Sequence, residues 1–448
     1  MTYLITDFGA VPDGKTNCAP FIQAAVDRAN GDGGGMVVIP AGRFLSGSVL
    51  LKSHVELHLA SGAVLISSLR EEDILPFPTA KGEGPIDGWN GGFFLGGRDA
   101  CDMTVSGTGV IDGQGGRVFT DADVDAGFHE CPKRCAPFRP RLVLFENIEG
   151  LSIRDVTLKD AAFWTLHMAG CRDVEVRSIR IKNDDRGANN DGIDPDCCQN
   201  VVISSCLIET GDDAIVLKST APMARRYGPC ENVTITGCVL HSRDSALKIG
   251  TETHGVIRRV IFSDTVVRDC SRAVGVWVRD GGSVEDIAVH HLTGAVRRYA
   301  DAYDIEGAPG WWGKGEPLFV SATHRRGQED RFPGVIRGLS FSDIRLDCES
   351  SLFIAGEREC PIRDVRLREI HLRLIRQGTQ KGGLFDEQPS IRHVYPHSIP
   401  ALYARSVTGL FLKDSTAAFS GENEAWDGTL TQTEDCENVR IMWETFGR

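Results

Sequence analysis

The sequence predicts an all-β chain wound as a single-stranded right-handed parallel β-helix with a short N-terminal capping helix. Three observations carry that prediction. A short β-branched phrase recurs along most of the chain. Cysteines fall at fixed distances from it. The 50 glycines in 448 residues exceed the average usage of about 7% without collecting in one linker.

The phrase reads Leu151-Ser-Ile153, Val174-Glu-Val176, Val201-Val-Ile203, Val233-Thr-Ile235, Val260-Ile-Phe262, Ile287-Ala-Val289, Leu339-Ser-Phe341, Val365-Arg-Leu367, Leu410-Phe-Leu412 and Val439-Arg-Ile441. Its steps are 23 to 32 residues, apart from 52 between Ile287 and Leu339 and 45 between Val365 and Leu410. Period-two alternation within each phrase marks a strand with one buried face, and a repeat of about 20–50 residues marks units that stack on their neighbours. A coil this short cannot hold a helical crossover. The leucine-rich phrase is absent, and a propeller blade needs about 40 residues or more. The step of 52 reads as two coils of 26, and the step of 45 as two short coils or one coil with an insertion.

Cys171, Cys198, Cys230 and Cys436 each precede an anchor by three residues, and Cys206 and Cys238 each follow one by five. Equal phase predicts ladders of small buried hydrophobes. Cys131 and Cys135 have a spacing that could grip a metal, but no second Cys or His pair of zinc-like spacing accompanies them. No metal or other cofactor is expected. Residues 1–45 read as a cap, in which Ala19 to Asn30 forms an amphipathic helix able to cover an open solenoid end. Gly33, Gly34 and Gly35 read as tight turns, since no helix start follows them to bind phosphate, and Met36 to Ile39 as a strand. Coils with loop insertions over 46–382, then final coils and a tail over 383–448, complete a single domain spanning 1–448. The surplus glycines are assigned to coil corners that need positive φ.

With 49 Lys and Arg against 62 Asp and Glu, the net charge is −13. Without a basic cluster, that disfavours nucleic acid or an anionic membrane as partner. No apolar run approaches about 18 residues, so no membrane span is expected. The opening residues lack the basic and apolar regions of a secretory signal. A cytoplasmic location with reduced thiols is the expectation.

One stretch is unusually acidic for a solenoid wall. It runs Asn189-Asn-Asp191-Gly-Ile-Asp194-Pro-Asp196, and one coil later Gly211-Asp212-Asp213 leads to Lys218 and Ser219. Rungs about 4.8 Å apart bring Asp191, Asp212 and Asp213 together. Carboxylates this close repel, so one keeps its proton to higher pH. Inverting glycoside hydrolysis requires that combination, a protonated carboxyl for the leaving oxygen and an ionised partner for water. A solvated acidic face or a calcium site is the blander reading. Two acidic phrases in register favour catalysis.

Asn189-Asn-Asp191-Gly-Ile-Asp194 resembles the N-T-D-G-I/F-D motif of the polygalacturonase family, glycoside hydrolase family 28, and Gly211-Asp212-Asp213 resembles its G/Q-D-D motif. Asp7-Phe-Gly-Ala-Val-Pro-Asp13-Gly14 is similar to the family's N-terminal signature. The resemblance covers most of the chain and implies a pectin-lyase-like β-helix and an inverting, metal-free glycosidase acting on an oligosaccharide or polysaccharide. Carried over, it makes Asp212 the general acid and has Asp191 and Asp213 position and activate water.

Two family motifs are absent. The G-H-G position falls on Asp244-Ser-Ala246, leaving Lys248, or less directly His241 or His254, to supply a nearby positive charge. The R-I-K position falls on Gly275-Val-Trp277, which cannot make the charge-assisted bonds that Arg and Lys give a carboxylate. Trp277 instead offers a flat apolar surface for a sugar ring, so the cleavage subsite is expected to hold something other than a galacturonate. Arg279 is the alternative source of a carboxylate contact. Asn189, His167 beside Trp164, Lys218, Glu252 and the loop pair Trp311 and Trp312 complete the expected substrate contacts. The insertions 73–90, 121–140 and 300–331 would wall off one groove end, as exo-action requires. A calcium-dependent lyase and a non-catalytic carbohydrate-binding solenoid are the alternatives. The tail from Gly383 reads as a loop returning to the groove or as a partner surface.

Overall fold

Val201 and Ile203 are fully buried, while Val202 between them is 45% exposed. That alternation is what a strand with one face on a packed core must show, and it recurs along the chain. A computed structural model describes residues 1–76, 91–120, 133–299, 314–327, 332–378, 380–421 and 423–444. Leu151, Val174, Val201, Val233, Val260, Ile287, Leu339, Val365, Leu410 and Val439 pair in parallel register, each with the next. The fold is a right-handed parallel β-helix.

Each coil contributes strands to three faces. In one coil these are Ile193–Asp196, Gln199–Ser204 and Leu207–Thr210, and we call the stacks they belong to the first, second and third faces. The chain enters the second face through a left-handed residue at equal height in successive coils, including Asp173, Asn200, Asn232, Arg259, Asp286, Gly338, Asp364 and Gly409. Asp and Asn tolerate that conformation better than other side chains. Here they also bond along the stack: Asn232 Nδ2 donates to Asn200 Oδ1 (2.9 Å), and Asn200 Nδ2 to Asp173 Oδ1 (2.8 Å). Glycine is therefore only part of the answer at the corners.

The 52-residue step is a single coil, contrary to the expectation of two. Ile287 pairs directly with Leu339, and the extra residues lie mostly in the connection between the strands Ser283–Val296 and Glu316–Ala322, with the rest between Glu316–Ala322 and Val335–Cys348. Likewise Val365 pairs directly with Leu410, so the step of 45 is one coil with an insertion. Spacing counts residues, whereas stacking counts backbone hydrogen bonds, and an insertion changes only the first.

A helix, Ala19–Gly31, buries Ile22, Ala25, Val26 and Ala29 at the N-terminal end. Parallel pairing begins with Thr2 opposite Met36, and Gly35 in turn sits opposite Val55. Cys171, Cys198, Cys230, Cys206 and Cys238 are buried free thiols, and Cys436, in the last described coil, is partly exposed. No described helix is long and apolar enough to cross a membrane.

The tail returns to the groove. Leu384–Asp386 and Val394–Pro396 form an antiparallel hairpin that packs Phe385 against Phe353 and Tyr403. Those two rings continue a ladder with Phe319 on the outer side of the first face. We call residues 384–397 the strap.

Candidate active site

The first face presents equivalent residues at the start of successive strands. Trp164, Asp191, Asp213, Ser245 and Arg272 stand at the same height, because Leu166 pairs with Ile193, Ile193 with Ile215, Ile215 with Leu247 and Ser245 with Arg272. One residue earlier, Asp212 and Asp244 occupy the preceding position on their rungs. Two close approaches require glycine here. A Cβ on Gly192 would meet the Ala214 carbonyl at 2.4 Å, and one on Gly211 the Gly187 carbonyl at 2.4 Å.

Asn190 fixes the turn that carries Asp212. Its buried Oδ1 accepts the backbone N–H groups of Gly211 (2.9 Å) and Asp212 (3.1 Å), and its Nδ2 donates to the Asp184 carbonyl (2.7 Å). The Asp212 carbonyl is held by Thr210 (2.6 Å) and Ser242 (2.7 Å) hydroxyls on its own and the following rung. Carboxylate oxygens of Asp191, Asp212 and Asp213, all buried, lie within 4.8 Å of one another.

Their surroundings differ. Asp213 lies 2.8 Å from Lys248, and Asp191 3.7 Å from Lys218. The Asp212 carboxylate accepts backbone N–H groups instead, from Asn189 (3.0 Å) and Asp213 (2.9 Å). Burial, reinforced by the charge of Asp191, pushes Asp212 up to about 7. Burial raises Asp191 and Asp213 too, against the pull of Lys218 and Lys248. The 2.8 Å ion pair favours the ionised form of Asp213, so a shared proton is best held on Asp212. Glu252 is held near 2, because Lys218, Arg325 and Lys248 together outweigh the effect of burial.

These groups open onto a cavity of about 530 Å³. Asn189, Lys218, Lys248 and Glu252 line it as the sequence suggests, together with Trp164. Three expected contacts are corrected. His167 is fully buried behind Trp164, edge-on to its ring at 4.8 Å, and accepts a bond from Arg141 Nε (3.1 Å). Trp277 reaches the cavity wall but is only 2% exposed: Phe319, Lys248 and Arg272 cover its ring, and its indole N–H donates to the Gln388 carbonyl (3.1 Å). No face is left for a sugar. Arg279 points away from the cavity, donating to the carbonyls of Pro389 (3.0 Å) and Ser321 (2.8 Å) and to the Ser321 hydroxyl (3.0 Å). Trp311, Trp312 and Cys131 lie outside the described residues.

Several lining residues stand outside the motifs. Asp244 sits one rung from Asp212 and pairs with Arg272 (3.2 Å), itself paired with Glu316 (3.3 Å). Its signal was present in the same repeat phase that located Asp212. Arg325, Gln388, Pro389, Ser390 and His393 also line the cavity, and they come from insertions that repeat phase cannot place. His241 and His254 bind elsewhere, to the Arg268 carbonyl and beside Asp280.

The three aspartates have the donor chemistry to grip a divalent cation. Lys218 and Lys248 stand where such an ion would repel them, and already neutralise two of the carboxylates. The arrangement is suited to moving protons: burial raises all three carboxyls, and the ammonium groups beside Asp191 and Asp213 favour their ionised forms over that of Asp212.

The sequence profile of the family described as Glycosyl hydrolases family 28 matches residues 79–287. A protein named as a probable polygalacturonase of Vitis vinifera is 29% identical over 358 residues, covering 76% of this chain and 67% of that one. Among solved structures, a family 28 exopolygalacturonase of Yersinia enterocolitica is similar with a TM-score of 0.75 at 18% identity, over 100% of this chain and 79% of that one. A hyperthermoactive exopolygalacturonase of Thermotoga maritima is similar with a TM-score of 0.59 at 22% identity, over 83% and 87%.

Proposed function

Since the chain belongs to glycosyl hydrolase family 28 and is a glycosidase, we propose that it trims an oligosaccharide or pectin-like chain from one end, with inversion, and that its cleavage subsite holds a sugar other than galacturonate. The observation that carries the catalytic reading is the buried aspartate trio in which Asp191 and Asp213 lie near lysines and Asp212 is held by backbone N–H groups.

Asp212 donates its proton to the glycosidic oxygen as the bond from that oxygen to the anomeric carbon breaks. A water held between Asp191 and Asp213 attacks the carbon from the other side and loses a proton to one of them. Two hydrogen bonds of about 2.7 Å converging on one water oxygen span roughly 4.4–5 Å, which suits oxygens within 4.8 Å of one another. Exchange with solvent then returns a proton to Asp212.

Support for a neutral sugar comes from the cations. Lys218, Lys248 and Arg272 already pair with carboxylates, Arg325 pairs with Asp280 (2.8 Å), and Arg279 is committed to the strap. Support for exo-action comes from the strap itself, which crosses the first face on the C-terminal side of the catalytic rungs and places Gln388, Pro389 and Ser390 in the cavity wall. The loops first expected to do this are largely outside the described residues.

Acid and base are separated by about 6.5–9.5 Å in most inverting enzymes, more than the nearest oxygens here, so anomeric NMR is the sharpest test. A panel of plant and bacterial oligosaccharides should yield one terminal neutral sugar, initially in the inverted configuration. Retention overturns the mechanism. Galacturonate as the released sugar overturns the specificity. Products absorbing in the ultraviolet, with activity lost in chelator, would replace hydrolysis by elimination.

A further inference from the structure

Where the second face turns into the third, successive rungs carry Asp264, His291 and Asp343 at equal height, all left-handed with φ of 51°, 56° and 48°. The turn at His291 brings its ring beside that of His290. Their Nδ1 atoms are 3.4 Å apart, and Asp264 Oδ1 is 3.2 Å from the same Nδ1 of His291. Ligands held about 2.0–2.1 Å from a tetrahedral ion stand roughly 3.3 Å from one another. The far nitrogen of His291, Nε2, lies 3.2 Å from Asp343 Oδ2, the carboxylate placement that orients a ligating imidazole and raises its basicity. Thr236 donates its hydroxyl to Asp264 Oδ2 (3.3 Å), leaving Oδ1 toward the histidines.

We propose that this corner binds one divalent transition ion of the zinc class, through His290 Nδ1, His291 Nδ1 and Asp264 Oδ1 with water as the fourth ligand. A protonated His291 bridging two carboxylates would account for Asp264 and Asp343, but not for a second imidazole nitrogen turned toward the same point. In the other surface cluster among the described residues, Asp102 faces Nδ1 of His54 (3.3 Å) while Cys101 faces Nε2 (3.8 Å), so its two partners address different nitrogens of one ring. The proposed site lies away from the catalytic strands, at the far corner of the coil. Its ligands lie on two adjacent rungs ahead of the long insertion and Asp343 on the rung after it, so the ion clasps the first two directly, reaches the third through the His291–Asp343 contact, and stabilises the folded chain by mass action.

The metal-free full chain titrated with Co²⁺ should develop the visible bands of a four-coordinate nitrogen and oxygen site, with no thiolate charge-transfer band. Calorimetry with Zn²⁺ alone should give one site per chain and a rise in Tm on loading. His290→Gln, at a half-buried position, and His291→Asn, at an exposed one where asparagine tolerates the positive φ, should abolish both signals while leaving the metal-free Tm unchanged. Asp343→Asn should weaken affinity about 10–100-fold, and Asp212→Asn and His54→Asn should leave it intact. Undiminished binding in His290→Gln, a thiolate band, loss of binding in Asp212→Asn, or no Zn²⁺ binding to the wild type each overturns the proposal.

Discussion

Asp212 and Asp213 are sequence neighbours in opposite electrostatic surroundings, one bonded to backbone N–H groups and the other to the ammonium of Lys248. If Asp212 is the acid, Asp212→Asn should lower kcat by about 10²–10⁴, checked by reducing-end release. With Asp212 pushed up to about 7, kcat/KM of the wild type should fall as pH rises above that value, because the acid loses its proton, and fall again on the acidic side as Asp191 and Asp213 gain theirs. Stability follows the same group. Its folded value lies above the unfolded one of about 3.9, so wild-type stability contributed by the neutral form is complete below that pH and lost as pH rises toward about 7. Asp212→Asn should therefore raise Tm over wild type by an amount that grows between about pH 4 and pH 7, and a constant gap in thermal melts would refute the assignment. These residues could be found in the sequence because the acidic phrases repeat in phase with the coil. Asn190 could not be singled out, since its part is to accept the N–H groups of Gly211 and Asp212 on the next rung, a contact that exists only once the rungs stack.

At the scale of elements, the strap decides the shape of the site. A cation near the family's carboxylate motif makes Arg279 an alternative carboxylate contact from sequence alone. The fold spends its guanidinium on backbone carbonyls of the strap and of the strand Glu316–Ala322. Arg279→Met should leave several of those buried acceptors unpaired at about 1–3 kcal/mol each. The expected outcome is a lower Tm, faster proteolysis within 384–397 and a KM raised more than kcat is reduced. A lysine substitution should restore little, because a single ammonium cannot reproduce the fork. If instead Arg279→Met raised KM with no change in Tm or proteolysis, the residue would be a substrate contact after all. Trp277 shows the same competition: an outward aromatic on the first face was legible, but that Phe319, Lys248 and Arg272 would cover it was not.

Across the whole molecule, stability is built from rungs that touch only their neighbours. The corner ladder supplies a local test of that. Asn232→Ala should cost about 1–2 kcal/mol for a left-handed alanine, with a further contribution from its bonds to Asn200 and Arg259, while Asn232→Gly should cost only the latter. Denaturant melts of both variants check it, and equal losses would show that the backbone strain is negligible. The sequence by itself determined the solenoid, its register and the convergence of Asp191, Asp212 and Asp213, because coil period and side-chain alternation are written locally in every repeat. Only the tertiary structure decided how many coils the 52- and 45-residue steps contain, which cations are already paired, and that residues from the far tail close the cavity. Those depend on hydrogen bonds and packing between segments whose separation in the chain carries no period, and there the local pattern has nothing to say.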